Sequence, residues 1–254
     1  MSGSEGFETI YHVLNSDLAG DSSRRVRSVS DLTAGVLASL KSFGYAHLRQ
    51  AHTYDEFEEI AQQFGSIALR TDLAITPARN SIVYKADEIR LHQDNPAMNV
   101  LAWYCVRQDQ LDGSARLLDT ADVAAYFSAD EIEIMKRTRI GYPDPDPHRH
   151  NPDRGLIAHL FWPLLSERAW RTEVYYVPWL LIDTYDEQQH RLLEKFAEYL
   201  RQKEENELIT IRLKAGESLF IDNNRILHGR GPIQEDSQRF LKRVWIKRDA
   251  SASR

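Results

Sequence analysis

Ala215-Gly216-Glu217-Ser218-Leu219-Phe220-Ile221-Asp222-Asn223-Asn224-Arg225-Ile226-Leu227-His228-Gly229-Arg230 is the stretch that decides the fold. Lys214 through Glu217 form a turn signal, and 218–221 is a short apolar strand rich in β-formers. His228-Gly229 reads as the start of a second strand or as a tight bend. Outward from here, short strand patterns recur at 45–48, 81–85, 99–107, 115–118, 156–162, 172–177, 208–213 and 239–247. Leu32, Val36, Leu37 and Leu40 mark a helix from near Ser30 or Asp31 to a stop at Gly44. Thr53 with Glu56 and Ser128 with Glu131 are capping boxes that open helices to Phe64 and to about Arg137. A long amphipathic helix at 186–205 carries Leu192, Leu193, Phe196 and Leu200. Strands this numerous, without regular β–α alternation, predict a mainly β fold with flanking α, an antiparallel core with helices packed outside.

The 254 residues, 42% apolar and 28% charged, provide ample material for one large core. We expect an arm at 1–27, a single domain at 28–248 and a tail at 249–254. A net charge of −6 leaves no basic surplus for a nucleic-acid partner. The apolar runs are too short for a bilayer, and the first residues lack a secretory pattern. The one cysteine, Cys105, fits a buried small hydrophobe in a reducing cytoplasm. No glycine-rich phosphate loop is present, which removes a nucleotide-driven enzyme as the default.

His92-Gln93-Asp94 closes a strand, where residues i and i+2 project from one face. One imidazole and one carboxylate suit a borderline divalent metal, although the pair alone is common. With His228 the set becomes two histidines and one carboxylate, the facial triad of non-haem Fe(II) oxygenases. Such a triad leaves three adjacent coordination positions open. Arg239 follows eleven residues after His228, in a strand whose alternation places Arg239, Leu241, Arg243 and Trp245 on one face. An arginine pointing into a barrel needs a carboxylate, which its planar fork binds bidentately.

This ordered set resembles the Fe(II)/2-oxoglutarate-dependent oxygenases of the taurine dioxygenase and clavaminate-synthase-like type, over roughly residues 30–248. Phe43-Gly44-Tyr45 and the 53–65 helix ending in Phe64-Gly65 belong to the likeness, with His92-Gln93-Asp94 and the 216–230 motif followed by Arg239. The resemblance implies a double-stranded β-helix, or jelly-roll, with Fe(II) on His92, Asp94 and His228 and the 2-oxoglutarate tail on Arg239. O2 is the second cosubstrate, and succinate and CO2 are released as a substrate C–H bond is oxidised. Because Asp94 is retained, hydroxylation is expected over halogenation, with desaturation, cyclisation or demethylation as alternatives.

One departure stands out. The threonine that usually assists the arginine falls on Leu117, so Ser114, Thr120 or another group must take its place. The family's substrate pocket includes the position of Arg243, which would bind a carboxylate, sulfonate or phosphate, or else pair with a barrel acid. Asn95 is either a substrate contact or the cap of the turn before Pro96. Trp245 either touches substrate or packs. The proline-rich loop at 143–152 suggests a lid, and His148 and His150 within it lack a third ligand. Of the aromatics Trp162, Trp170, Tyr175, Tyr176 and Trp179, most should pack and one or two line the pocket. The expected substrate is a small polar metabolite such as an amino acid or natural-product precursor. The competing readings are a non-oxidative metal-dependent barrel enzyme, which would have no use for Arg239, and a barrel without activity.

Overall fold

The computed structural model describes residues 28–76, 81–141, 161–168 and 171–248. The expected arm at 1–27, the loop at 143–152 with His148 and His150, residues 156–160, Trp170 and the tail at 249–254 lie outside the described residues. In chain order the elements begin α1 (Val29–Phe43), β1 (Tyr45–Leu48), α2 (Tyr54–Gln62), β2 (Ser66–Ala74), β3 (Ile89–His92), β4 (Val100–Arg107) and β5 (Ala115–Asp119). There follow α3 (Val123–Tyr126), α4 (Ala129–Arg137), β6 (Arg139–Ile140), β7 (Trp162–Pro163), β8 (Leu165–Arg168) and β9 (Arg171–Val174). The chain then runs through α5 (Glu187–Glu207), β10 (Ile209–Ile211), β11 (Ser218–Asp222), β12 (Ile226–Arg230) and β13 (Phe240–Lys247).

Local chemistry sets the helix ends. Capping boxes at Thr53/Glu56 and Ser128/Glu131 are both formed, and Ser28/Asp31 makes a third that starts α1 slightly before the expected site. Gly44 stops α1 in the left-handed region at φ 75°, its N–H donating to the Leu40 carbonyl.

Two antiparallel sheets carry the fold, one ordered β1-β11-β4-β13-β2 and the other β10-β5-β12-β3. Alternate residues of the same strand enter different cores. Leu101, Trp103, Cys105, Leu219, Ile221, Leu241 and Trp245 of the larger sheet meet Leu117, Ile211 and Ile226 of the smaller one. The opposite face of the larger sheet, with Val100, Ala102, Phe220, Val244 and Ile246, is covered by α1 and α2. The outer face of the smaller sheet, through Leu91, Leu118 and Leu227, is covered by α4, α5 and residues 174–177. Strands buried on both faces explain why 218–221 and 99–107 read as apolar runs.

Two expectations are corrected. Residues 81–85 are a 3-10 turn at Ile82–Tyr84, closed by Tyr84 N–H to Ser81 O at 3.1 Å and Lys85 N–H to Ile82 O at 3.1 Å. The strand in this part of the chain is instead β2, which pairs with β13 at the sheet edge. Secondly, His228-Gly229 lies within β12, in the middle of the smaller sheet, rather than at a bend or a strand start.

Candidate active site

β12 lies between β5 and β3, and the register places His228 directly opposite His92. Between this pair and the next, Arg230 opposite Ile89, β3 has one residue more than β12. That bulge aims His92 across the strand gap. It also brings the β3 backbone so close that a Cβ on Gly229 would lie 2.5 Å from the Ile89 carbonyl oxygen. Only glycine fits there.

The ligand atoms of His92, Asp94 and His228 all lie within 4.8 Å of one another. His92 Nε2 is 3.7 Å from Asp94 Oδ1, and His228 Nε2 is 3.9 Å from Asp94 Oδ2. His92 Nδ1 sits 2.8 Å from the Arg90 carbonyl, which can only accept, so Nδ1 carries the proton and Nε2 presents its lone pair to Asp94. Burial pushes His228 down to about 3, with the neighbouring His92 adding to the shift, so its ring stays neutral. Burial alone would raise Asp94, but its surroundings, the Arg243 guanidinium foremost, hold the carboxyl well below its ordinary range. Two imidazoles and one carboxylate in this arrangement fit a divalent iron.

The segment after β3 is tied to the turn that joins β11 and β12. Gln93 exchanges bonds with the Tyr176 backbone at 3.0 and 3.1 Å and donates to Asn223 O at 2.8 Å. Asn223 Oδ1 accepts from Asp94 N–H at 3.2 Å, and its Nδ2 donates to the Asn95 and Met98 carbonyls, each at 3.0 Å. These two amides fix where Asp94 projects, a role the sequence did not reveal.

A cavity of about 60 Å³ extends from the histidines between the two sheets. His92, His228 and Arg243 line it together with Arg239, Gln108, Gly113 and apolar side chains such as Leu117, Leu219 and Leu241. Arg239 is buried, and burial lowers its pKa to about 10, with Arg230 adding repulsion. Among the described residues no carboxylate pairs with it. Its contacts are neutral: Nε donates to Gln108 Oε1 at 3.1 Å and Nη2 lies 3.5 Å from Gly113 O. A desolvated cation without an anion suits a ligand that brings its own carboxylate.

The remaining candidates divide. Arg243 Nη1 donates to Asp94 Oδ2 at 2.9 Å, its Nε is buried without a partner, and its guanidinium lies over the Trp245 ring. Trp245 packs in the core between the sheets and is not among the cavity-lining residues. Asn95 Oδ1 accepts from Ala97 N–H at 2.9 Å inside the turn. Thr120 is spent on the Arg225 carbonyl at 2.7 Å, and neither it nor Ser114 lines the cavity. Of the aromatics, Tyr175 and Tyr176 are buried, whereas Trp179 is 43% exposed with its ring 4.8 Å from that of His92.

The family model "Taurine catabolism dioxygenase TauD, TfdA family" matches residues 20–245. No curated protein matches the chain significantly by sequence. Among solved structures, the fold is similar to the non-heme iron oxygenase OrfP in complex with Fe, succinate and (3R,4R)-dihydroxy-L-Arg. That likeness has a TM-score of 0.63 and 20% identity, over 87% of this chain and 80% of that one. It is also similar to asparagine oxygenase in complex with Fe(II), 3-hydroxyasparagine and succinate, at a TM-score of 0.65 and 14% identity, over 86% and 79%. The jelly-roll likeness and the match across nearly the whole described chain agree with the resemblance read from its motifs: this chain belongs to the TauD/TfdA family of non-haem Fe(II)/2-oxoglutarate-dependent dioxygenases.

Proposed function

We propose that the protein hydroxylates an unactivated C–H bond of a small polar metabolite, an amino acid or a related natural-product precursor, with release of succinate and CO2. The observation that carries this reading is one cavity with a buried Arg239, paired with no carboxylate among the described residues, at one place and His92 and His228 at another, with Asp94 beside the two histidines. Fe(II) held by the three ligands would activate O2 at the expense of 2-oxoglutarate. The rest is placement by this chain: Arg239 receives the distal carboxylate, the apolar walls exclude water, and Asn223 and Gln93 hold Asp94 in position.

Arg243 supports an acidic substrate. It stands beside Asp94 with a buried Nε that no group among the described residues satisfies, and its chemistry suits a carboxylate. Amino acids are favoured because the similar structures were solved with hydroxylated arginine and asparagine. Asn95 and Trp245 would act behind Arg243, shaping the turn and the ring face beneath it. Residues 28–248 would work as a single domain, and one buried cysteine without a disulfide partner suits the cytoplasm. No helix among the described residues is long and apolar enough to cross a membrane.

The test is an anaerobic titration with Fe(II) and then 2-oxoglutarate, followed by visible absorption. A weak charge-transfer band lost in His228→Ala is expected. Metal binding without the band would instead support a hydrolase or isomerase. Succinate release is then screened across amino acids with wild type and Arg243→Met. The variant should lose the response to the accepted substrate while keeping the 2-oxoglutarate band. Equal loss of both would remove Arg243 from substrate recognition.

A further inference from the structure

The threonine that the family places beside its 2-oxoglutarate arginine is replaced here by Leu117, and a different group contacts Arg239. Gln108 directly follows β4, where a register shift against β13 sets Phe240 opposite Arg107 and brings 108 alongside 239. Its amide orientation is fixed by chemistry. Nε2 donates to the Leu213 carbonyl at 3.2 Å, while Oε1 accepts from Asp109 N–H at 3.0 Å and from Arg239 Nε at 3.1 Å. A flipped amide would set donor against donor at Asp109 and acceptor against acceptor at Leu213.

The surroundings are fitted to this contact. Gly113, at φ 78°, leaves room that a Cβ would fill, 2.8 Å from Gln108 Oε1 and 3.0 Å from Arg239 Nε. The nearby acids are committed elsewhere: Asp109 accepts from the Leu111 and Asp112 amides and from Ser237, and Asp112 Oδ1 accepts from Ser114 N–H at 3.1 Å. The side-chain hydrogen bonds of Arg239 therefore all go to neutral acceptors, and no carboxylate among the described residues forms an ion pair with it.

Resting on Arg239 as the 2-oxoglutarate clamp, we infer that Gln108 is the positioning residue of that clamp. It holds Nε so that the outer guanidinium nitrogens face the cavity. Because it is an amide, it leaves the charge uncompensated and so selects a dicarboxylate over a monocarboxylic 2-oxo acid. A carboxylate of the same shape at 108 would form an ion pair with Arg239 and compete with the cosubstrate.

The experiment compares the dissociation constants of 2-oxoglutarate and 2-oxopentanoate, which has the same chain length without the distal carboxylate. Calorimetry uses the Fe(II)-loaded protein under argon, for wild type, Gln108→Glu, Gln108→Met and Arg239→Met. Gln108→Glu should weaken 2-oxoglutarate about tenfold or more while changing 2-oxopentanoate less than about twofold. Gln108→Met should lie between it and wild type. In turnover, KM for 2-oxoglutarate should rise while kcat at saturation is retained. An equal change for both acids would make Gln108 merely structural and overturn the inference. So would unchanged binding in both Gln108 variants while Arg239→Met abolishes the preference. If Arg239→Met itself keeps the preference, the clamp reading fails instead.

Discussion

Arg239→Met separates a residue kept for binding from one kept for stability, because the structure predicts opposite signs for the two. Burial lowers the Arg239 pKa from 12.5 to about 10, a penalty on the folded charged state of roughly 3 kcal/mol. The neutral contacts to Gln108 and Gly113 return about 1 kcal/mol each. Methionine fills much of the volume without the charge, so the ligand-free variant should be more stable than wild type by about 1 kcal/mol, or roughly 2–4 °C in Tm. Binding should move the other way. Removing one partner of a buried charge pair costs about 2–5 kcal/mol, which is roughly thirtyfold to several-thousandfold in 2-oxoglutarate affinity. Thermal unfolding of the Zn(II)-loaded protein, with and without saturating 2-oxoglutarate, reads both effects. Wild type should show a ligand-dependent rise in Tm, and the variant a higher starting point with little or no rise. A variant that starts lower and keeps the full rise would refute the assignment, because Arg239 would then be a stabilising core residue.

Two further substitutions probe how the metal ligands are held. Gly229→Ala forces the β3 carbonyl of Ile89 away from a Cβ only 2.5 Å distant and should carry His92 with it. Metal affinity, measured by competition with a chelating dye, should fall about tenfold or more with the far-ultraviolet circular dichroism unchanged; wild-type affinity would show that β3 can yield without moving His92. Asn223→Ala removes four side-chain hydrogen bonds, from Asp94 N–H and to the Asp94, Asn95 and Met98 carbonyls. It should lower stability in urea by about 2–4 kcal/mol, and a loss below about 1 kcal/mol would contradict its structural role.

What the sequence made legible was local or rested on residue type. The capping boxes at Thr53 and Ser128 and the stop at Gly44 are short-range chemistry and stand as read. Strand alternation correctly put Arg239, Leu241 and Arg243 on one cavity-facing side of β13. Strand β2 escaped because, as the edge strand, it mixes charged and apolar residues and buries only Leu73. The run at 81–85 misled because Ile82, Val83 and Tyr84 are strong β-formers that here form a 3-10 turn, from which Val83 lines the cavity. Of the residues whose helical spacing marked α1, Leu37 is 40% exposed, and the helix covers the sheet with Leu32, Val36 and Leu40. Gln108 was beyond reach for a different reason: it meets Arg239 through strand register. The departure at Leu117 did signal that some other group had to replace the threonine, without saying which.

The cavity's two ionic elements are built on opposite terms. Asp94 is paired with a group that stabilises its charge, Arg243 at 2.9 Å. Arg239 has no ion-pair partner among the described residues: its direct contacts are two neutral acceptors, Arg230 repels it, and Asp109 and Asp112 act on it only from a distance. If stability alone had set both, an acid near Arg239 would be simplest, and Asp109 and Asp112 are close enough to influence its pKa. Instead both cap backbone amides, and a glutamine rather than a glutamate takes the one direct contact with Nε. A fold that leaves one buried cation without a direct ion pair while pairing a neighbouring anion has set aside stability at the place where an external dianion must bind. The same asymmetry argues against a non-oxidative metal enzyme on this scaffold, which would need the ligand triad but not the unpaired arginine.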